Sequence, residues 1–186
     1  MKFEVTILGS SSATPIYNRN PSAQVLNIND RLYLVDCGEG TQQQMLRFDV
    51  KASRIDHIFI SHLHGDHYLG LVGLLSSMHL NGRSKPIKLF GPPQLKEIID
   101  LQLKYSDTTL QYPIDFVPTT ADKAEVILDT TDITVETIPL DHRIACTGFL
   151  FKQKKRLKKI IKEKIIELNI PIDQYSGIKR CRLYCS

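Results

Sequence analysis

Three histidines and an aspartate fall within six residues, His62, His64, Asp66 and His67, in a chain that has only six histidines. His62 and His64 are two apart, so in an extended segment they point to the same side. Two imidazoles placed that way can reach one metal ion at about 2.0–2.1 Å. Gly65 permits a sharp turn at low steric cost. Beyond it Asp66 and His67 are adjacent and can aim at a second position. One loop thus offers a nitrogen pair to one metal and an oxygen–nitrogen pair to a neighbour. Neutral imidazole with carboxylate suits zinc and leaves manganese and iron open.

The elements that must position this loop can be read outward from it. Asp56 to Ile60 is an apolar, β-favouring run and predicts a buried strand. Tyr68 to Leu80 predicts a helix packing through Leu69, Val72, Leu75 and Met78. The metal-competent residues then sit on a loop at the carboxyl end of a strand, where ligands bind in α/β sheets. Upstream, Lys2–Leu8, Ala23–Ile28 and Arg31–Val35 read as strands, with Asn29-Asp30 as a hairpin turn. Thr41 reads as the N-cap of a helix over Gln42–Phe48. Downstream come a short strand Ile87–Phe90 and a helix Gln94–Tyr105 packing through Leu95, Ile98, Ile99 and Leu103. Strands follow at Ile114–Val117, Ala124–Leu128, Ile133–Ile138 and Thr147–Lys152, then an amphipathic helix Lys154–Leu168. A meander of strands followed by strands mixed with helices predicts an α/β sandwich with a mixed sheet.

The 186 residues suffice for one domain with a sizeable core. No apolar run approaches a membrane span, and the N-terminus enters a strand pattern directly, so the reading expects a cytoplasmic protein without a membrane partner. Cys37 and Cys146 read as reduced packing residues, and Cys181 and Cys185 lack the second pair that a zinc site of that type uses. His57 and His79 read as structural. The net charge of +4 is uneven: residues 1–151 hold 13 Lys/Arg against 17 Asp/Glu, whereas residues 152–186 hold 11 against 3. A one-signed tail points to an anionic partner.

The spacing of His62, His64, Asp66 and His67 resembles the signature of the metallo-β-lactamase superfamily. Further stretches narrow the resemblance to the ribonuclease Z family: Leu8 to Pro15, Asp36-Cys37-Gly38-Glu39-Gly40-Thr41-Gln42, Leu89-Phe90-Gly91-Pro92 and Pro139-Leu140-Asp141-His142. The resemblance implies the αβ/βα four-layer sandwich, with metals at one edge between two sheets. It makes His142 a third ligand for the His62/His64 metal. It gives Asp66 two roles, ligand of the second metal with His67 and proton acceptor for an attacking water. Asp36 is either a carboxylate that orients a ligating imidazole or a loop cap. Ser10 to Thr14 and Thr41 offer donors either to RNA or to local turns.

The implied activity is that of a zinc phosphodiesterase, two Zn2+ per complete site, cutting the 3′ trailer from precursor tRNA and leaving a 3′-hydroxyl, as a homodimer when complete. The family's bridging aspartate and further histidine have no match after His142: residues 143–186 contain no His, and Asp173 is their only Asp. The reading therefore expects mainly the N-terminal half of the sandwich, from a truncated or frame-shifted reading frame or a gene fragment, with little activity of its own. Residues 1–151 form the metallo-β-lactamase-like portion, 152–180 a basic helical arm and 181–186 a divergent tail. The arm lies where the family inserts its tRNA-binding extension, which implies RNA-backbone contacts for Lys154, Lys155, Lys158 and Lys159. Two other readings stand beside this one: a non-catalytic RNA-binding remnant, and a hydrolase of small esters.

Overall fold

The computed structural model describes residues 2–154 and 162–175. Its centre is a six-stranded sheet in the order β1 (Phe3–Gly9), β2 (Ala23–Ile28), β3 (Arg31–Val35), β4 (Ile55–Phe59), β5 (Ile87–Gly91) and β6 (Ile114–Pro118). The first three strands are antiparallel, and β3 to β6 run parallel. The Asn29-Asp30 turn joins β2 to β3 with both residues at positive φ, 50° and 65°, as a tight hairpin demands. A second, three-stranded antiparallel sheet contains β7 (Val126–Asp129), β8 (Ile133–Leu140) and β9 (Cys146–Gln153).

Strand alternation sends side chains to two separate cores. Val25, Leu34, Ile58 and Leu89 face the helices α1 (Thr41–Arg47), α3 (Leu71–Leu80) and α4 (Gln94–Tyr105), meeting Met45, Leu71, Leu75, Leu95 and Ile99. Tyr33, Phe59 and Phe90 face the other way, onto Leu128, Ile133, Val135, Phe149 and Phe151 of the second sheet. The rings of Phe59 and Phe90 stack at 4.5 Å, and Phe151 meets Phe59 edge-on at 5.3 Å. Among the described residues the layers are therefore helices, large sheet and small sheet, which is part of the expected four-layer sandwich. The small sheet covers only part of its partner: Phe3, Val5 and Ile7 of β1, on the inter-sheet side, are 46%, 51% and 50% exposed.

Several expectations are corrected. The helix expected over Tyr68–Leu80 is two: α2 (Gly65–Tyr68) and α3. The break lies at Gly70, where a Cβ would meet the Gly38 carbonyl oxygen at 2.2 Å. Leu69 is exposed, not packed; the buried face is Leu71, Leu74, Leu75 and Met78. Thr41 is the first residue of α1 rather than its N-cap, and its hydroxyl donates to the Gly38 carbonyl at 2.7 Å. β9 continues to Gln153, so the 151/152 boundary falls within a strand. Of the helix expected over Lys154–Leu168, Lys154 follows β9 as non-helical chain, α5 (Lys162–Glu167) is helical, and 155–161 lie outside the described residues. Cys181 and Cys185 also lie outside them.

Candidate metal centre

β3 and β4 are adjacent and parallel, so Asp36 and Ser61 leave the sheet side by side. Asp36 adopts φ 57°, and its amide donates to the Phe59 carbonyl at 2.8 Å. The chain after it, Cys37-Gly38, lies beneath the metal loop. The Cys37 amide donates to the His67 carbonyl at 2.8 Å, and Gly70 N–H to the Cys37 carbonyl at 2.9 Å. A Cβ at Gly38 would lie 2.4 Å from the Asp66 carbonyl oxygen. The second sheet is tied to the same place: Thr147 N–H donates to the Ser61 carbonyl at 3.0 Å. That bond brings the loop between β8 and β9, residues 141–145, over His62 and His64.

Three imidazoles converge there. His64 Nδ1 lies 3.1 Å from His62 Nε2 and 3.1 Å from His142 Nε2. One ligand atom from each of the three falls within 4.8 Å of the others. Two nitrogens on one tetrahedral zinc lie about 3.3–3.4 Å apart when Zn–N is about 2.0–2.1 Å, so the spacing fits one shared metal. The outer nitrogen of His62 is held: its Nδ1 is 2.9 Å from Ser61 Oγ, which in turn is 3.0 Å from Asp36 Oδ2. A hydroxyl that donates to the carboxylate accepts from His62 Nδ1–H, leaving the Nε2 lone pair turned inward. Burial is the main reason the His62 pKa falls to about 4, and the neighbouring imidazoles push the same way. Its neutral form is the one that ligates.

Asp66 and His67 stand beside this cluster. His67 Nδ1 donates to Asp36 Oδ2 at 2.7 Å, and its Nε2 lies 3.4 Å from Asp66 Oδ2. Burial lowers the His67 pKa, but the hydrogen bond and charge of Asp36 outweigh it, and the net shift is upward. Asp36 thus both caps the loop, accepting from Ser61 N–H at 2.8 Å, and orients an imidazole. Among the described residues the Asp66/His67 side has two donors, whereas the His62/His64/His142 side has three.

The cleft around these groups measures about 640 Å³. Ser12, Ala13, Leu140, Asp141, Arg143 and Cys146 complete its wall with Gly65 and the metal-competent side chains. Sequence reasoning missed Ser61, Arg143 and Cys146; the first adjoins His62 and the second adjoins His142, so adjacency was their signal. Cys146 Sγ lies 3.5 Å from His62 Nδ1, and burial raises its pKa. Cys37 is a free, fully buried thiol, pushed by burial to about 12. His57 lies outside the cluster, its ring 5.2 Å from that of Tyr33, and His79 Nδ1 accepts from Gln111 N–H at 3.2 Å. Lys154 pairs with Asp129. It lies about 26 Å from Cys146, the length of β9 at about 3.3 Å per residue. Lys155, Lys158 and Lys159 lie outside the described residues.

The family model described as "Anti-Pycsar protein Apyc1" matches residues 3–159. The ribonuclease Z of Cytophaga hutchinsonii is 54% identical over 167 residues, covering 90% of this chain and 53% of that protein. That of Bacteroides fragilis is 41% identical over 178 residues, covering 96% of this chain and 59% of that protein. The chain thus spans between half and three fifths of the length of these curated relatives. Among solved structures, the short form of human tRNase Z superposes with a TM-score of 0.74 at 36% identity, covering 81% of this chain and 64% of that one. The metallo-β-lactamase-fold protein YhfI of Bacillus subtilis, TM-score 0.62 at 20% identity, matches in fold. With the fold and the converging imidazoles in place, these matches show that the chain belongs to the metallo-β-lactamase-fold family of the Apyc1 model and aligns, over most of its length, with ribonucleases Z.

Proposed function

We propose that this chain carries the metal-binding portion of an endoribonuclease that removes the 3′ trailer from precursor tRNA and leaves a 3′-hydroxyl on the tRNA. The observation that carries the reading is the convergence of His62 Nε2, His64 Nδ1 and His142 Nε2 in a chain whose relatives are ribonucleases Z. His62, His64 and His142 hold one zinc ion. Asp66 and His67 contribute two ligands to a second. Bound zinc supplies positive charge against the reacting phosphate and acidifies water. Ser61 and Asp36 keep the ligating nitrogens aimed. Asp66, its side chain 10% exposed, accepts the proton of the attacking water.

The basic segment extends the reading. Lys154, at the far end of β9, begins a run continued by Lys155, Lys158 and Lys159. These ammonium groups contact RNA phosphates, adding affinity without base readout. A tRNA substrate places the protein in the cytoplasm, and a second copy completes the working assembly as a homodimer. No described helix is long and apolar enough to cross a membrane. The two-donor Asp66/His67 side favours one second reading, a chain that binds RNA without cutting it.

The experiment offers zinc-loaded protein a precursor tRNA with a 3′ trailer and an unstructured RNA of equal length. The reading expects preferential binding of the precursor. Any product carries a 3′-hydroxyl on the tRNA, and Asp66→Ala abolishes it while sparing affinity. Binding without product supports the second reading. Equal binding of both RNAs, or cleavage insensitive to Asp66→Ala, overturns the first.

A further inference from the structure

Arg143 follows His142 in the loop between β8 and β9 and is the cation among the residues that line the cleft. Its side chain is exposed, and its Nη2 donates to His64 Nε2 at 3.2 Å. That contact sets a condition on His64. Guanidinium is donor-only, so Nε2 must accept, and a neutral imidazole that accepts at Nε2 carries its proton on Nδ1. But Nδ1 is the nitrogen that faces His62 Nε2 and His142 Nε2. A metal ligand at Nδ1 requires the opposite tautomer, with the proton on Nε2. Nε2–H and guanidinium N–H are then two donors facing each other. Metal ligation by Nδ1 and the Arg143 contact exclude each other.

We propose that Arg143 is a phosphate-binding residue whose availability is coupled to the metal: ligation of His64 Nδ1 turns Nε2 into a donor and displaces the guanidinium into the cleft, where it pairs with a substrate phosphate oxygen. The guanidinium is suited to the task, because its planar fork matches two oxygens of one phosphate. Its neighbours in the wall leave an incoming anion few other cations: Asp66 and Asp141 repel it, and Ser12 offers only a neutral hydroxyl. This rests on the metal reading of the His62/His64/His142 cluster.

The experiment uses the whole 186-residue protein, inorganic phosphate as the probe, and two readouts: zinc content and phosphate affinity by calorimetry. Zinc itself attracts phosphate, so the variant isolates the guanidinium. With zinc bound, Arg143→Gln should weaken phosphate binding by about 10- to 100-fold, the range of a charge-assisted hydrogen bond at about 1.5–3 kcal/mol. Arg143→Lys should recover part of it. Zinc content at saturation should not fall in either, because neither substitution removes a ligand, and loss of the competing contact to His64 Nε2 in Arg143→Gln should tighten zinc binding. In wild-type protein, zinc should also increase modification of Arg143 by phenylglyoxal, and phosphate should suppress it. Normal zinc content with unchanged phosphate affinity in Arg143→Gln overturns the Arg143 proposal and leaves the metal site standing. Modification of Arg143 that ignores zinc overturns the coupling. Failure of the wild-type protein to bind zinc overturns the metal reading, and this proposal with it.

Discussion

The metal loop has two sides built by different means. His62, His64 and His142 come from two segments 75 residues apart beyond the loop itself, and the three nitrogens meet because a backbone bond, Thr147 N–H to the Ser61 carbonyl, staples the two sheets together. Asp66 and His67 are neighbours in sequence, and their donors meet because one buried carboxylate, Asp36, holds His67 by its outer nitrogen. Docking of the second sheet assembles the first side, and a buried carboxylate at the end of a neighbouring strand of the large sheet organises the second. The first has three donors from the described chain, the second two. The two sides should therefore fail under different insults.

The largest effect should come from His64→Ala, since His64 Nδ1 faces both other nitrogens. Zinc affinity should fall by more than the about 10- to 100-fold typical of losing an outer partner. Zinc stoichiometry in a chelator competition checks it, and an unchanged value removes His64 from the site. Next, Asp36→Ala should act on the other side. Metal affinity contributed by Asp66 and His67 should drop by about 10- to 100-fold, while zinc on the three imidazoles is weakened less. Ser61 N–H loses its buried acceptor, at a stability cost of about 1–3 kcal/mol. Equal weakening of both metal steps in a stepwise titration would erase the distinction.

Acid should separate the two sides further. In chelated protein, burial holds the pKa of His62 and of His57 down at about 4. Both groups are neutral when folded and take up protons on unfolding below about 6.5. The folded state binds fewer protons, so their stabilisation is complete above about 6.5 and is lost as pH falls toward 4. His67 has the opposite sign: with its pKa raised, its contribution is present below the ordinary value and lost as pH rises through the raised one. Urea midpoints from pH 4 to 8 should show a shallower acid limb in His57→Gln and a smaller alkaline loss in Asp36→Asn. An acid limb unchanged in His57→Gln counts against the burial account.

The smallest effect belongs to the far end of β9. Lys154 pairs with Asp129 across exposed surface, so Lys154→Ala should cost less than about 1 kcal/mol. In precursor-tRNA binding, one lost phosphate contact flattens the plot of log affinity against log salt by up to about 0.9. Changing Lys154, Lys155, Lys158 and Lys159 together should flatten it several-fold more and leave zinc content alone. An unchanged slope in the four-site variant would make this run a solvated surface.

Much was legible because it is local. The apolar, β-favouring run of β4, the Asn29-Asp30 turn and the spacing of His62, His64, Asp66 and His67 each depend on neighbouring residues, so sequence carries them. The helix break at Gly70 was not legible: it depends on the backbone of Cys37-Gly38, more than thirty residues upstream, which a Cβ would strike. Leu69 fitted the helical period and still proved exposed, because that break shifts the buried face to Leu71 and Leu74. Asp36 was a choice between capping and orienting until the parallel pairing of β3 with β4 showed it doing both.

Sequence by itself determined the donor types, their spacing within one loop and, through resemblance, His142 as their partner. Tertiary structure alone decided which nitrogen of His62 and of His67 faces inward, because that depends on Ser61 and Asp36 reaching the outer nitrogens at 2.9 and 2.7 Å. Residue identity sets what an imidazole can bind; its neighbours in space choose its tautomer, toward a metal at His62 and away from one at His64.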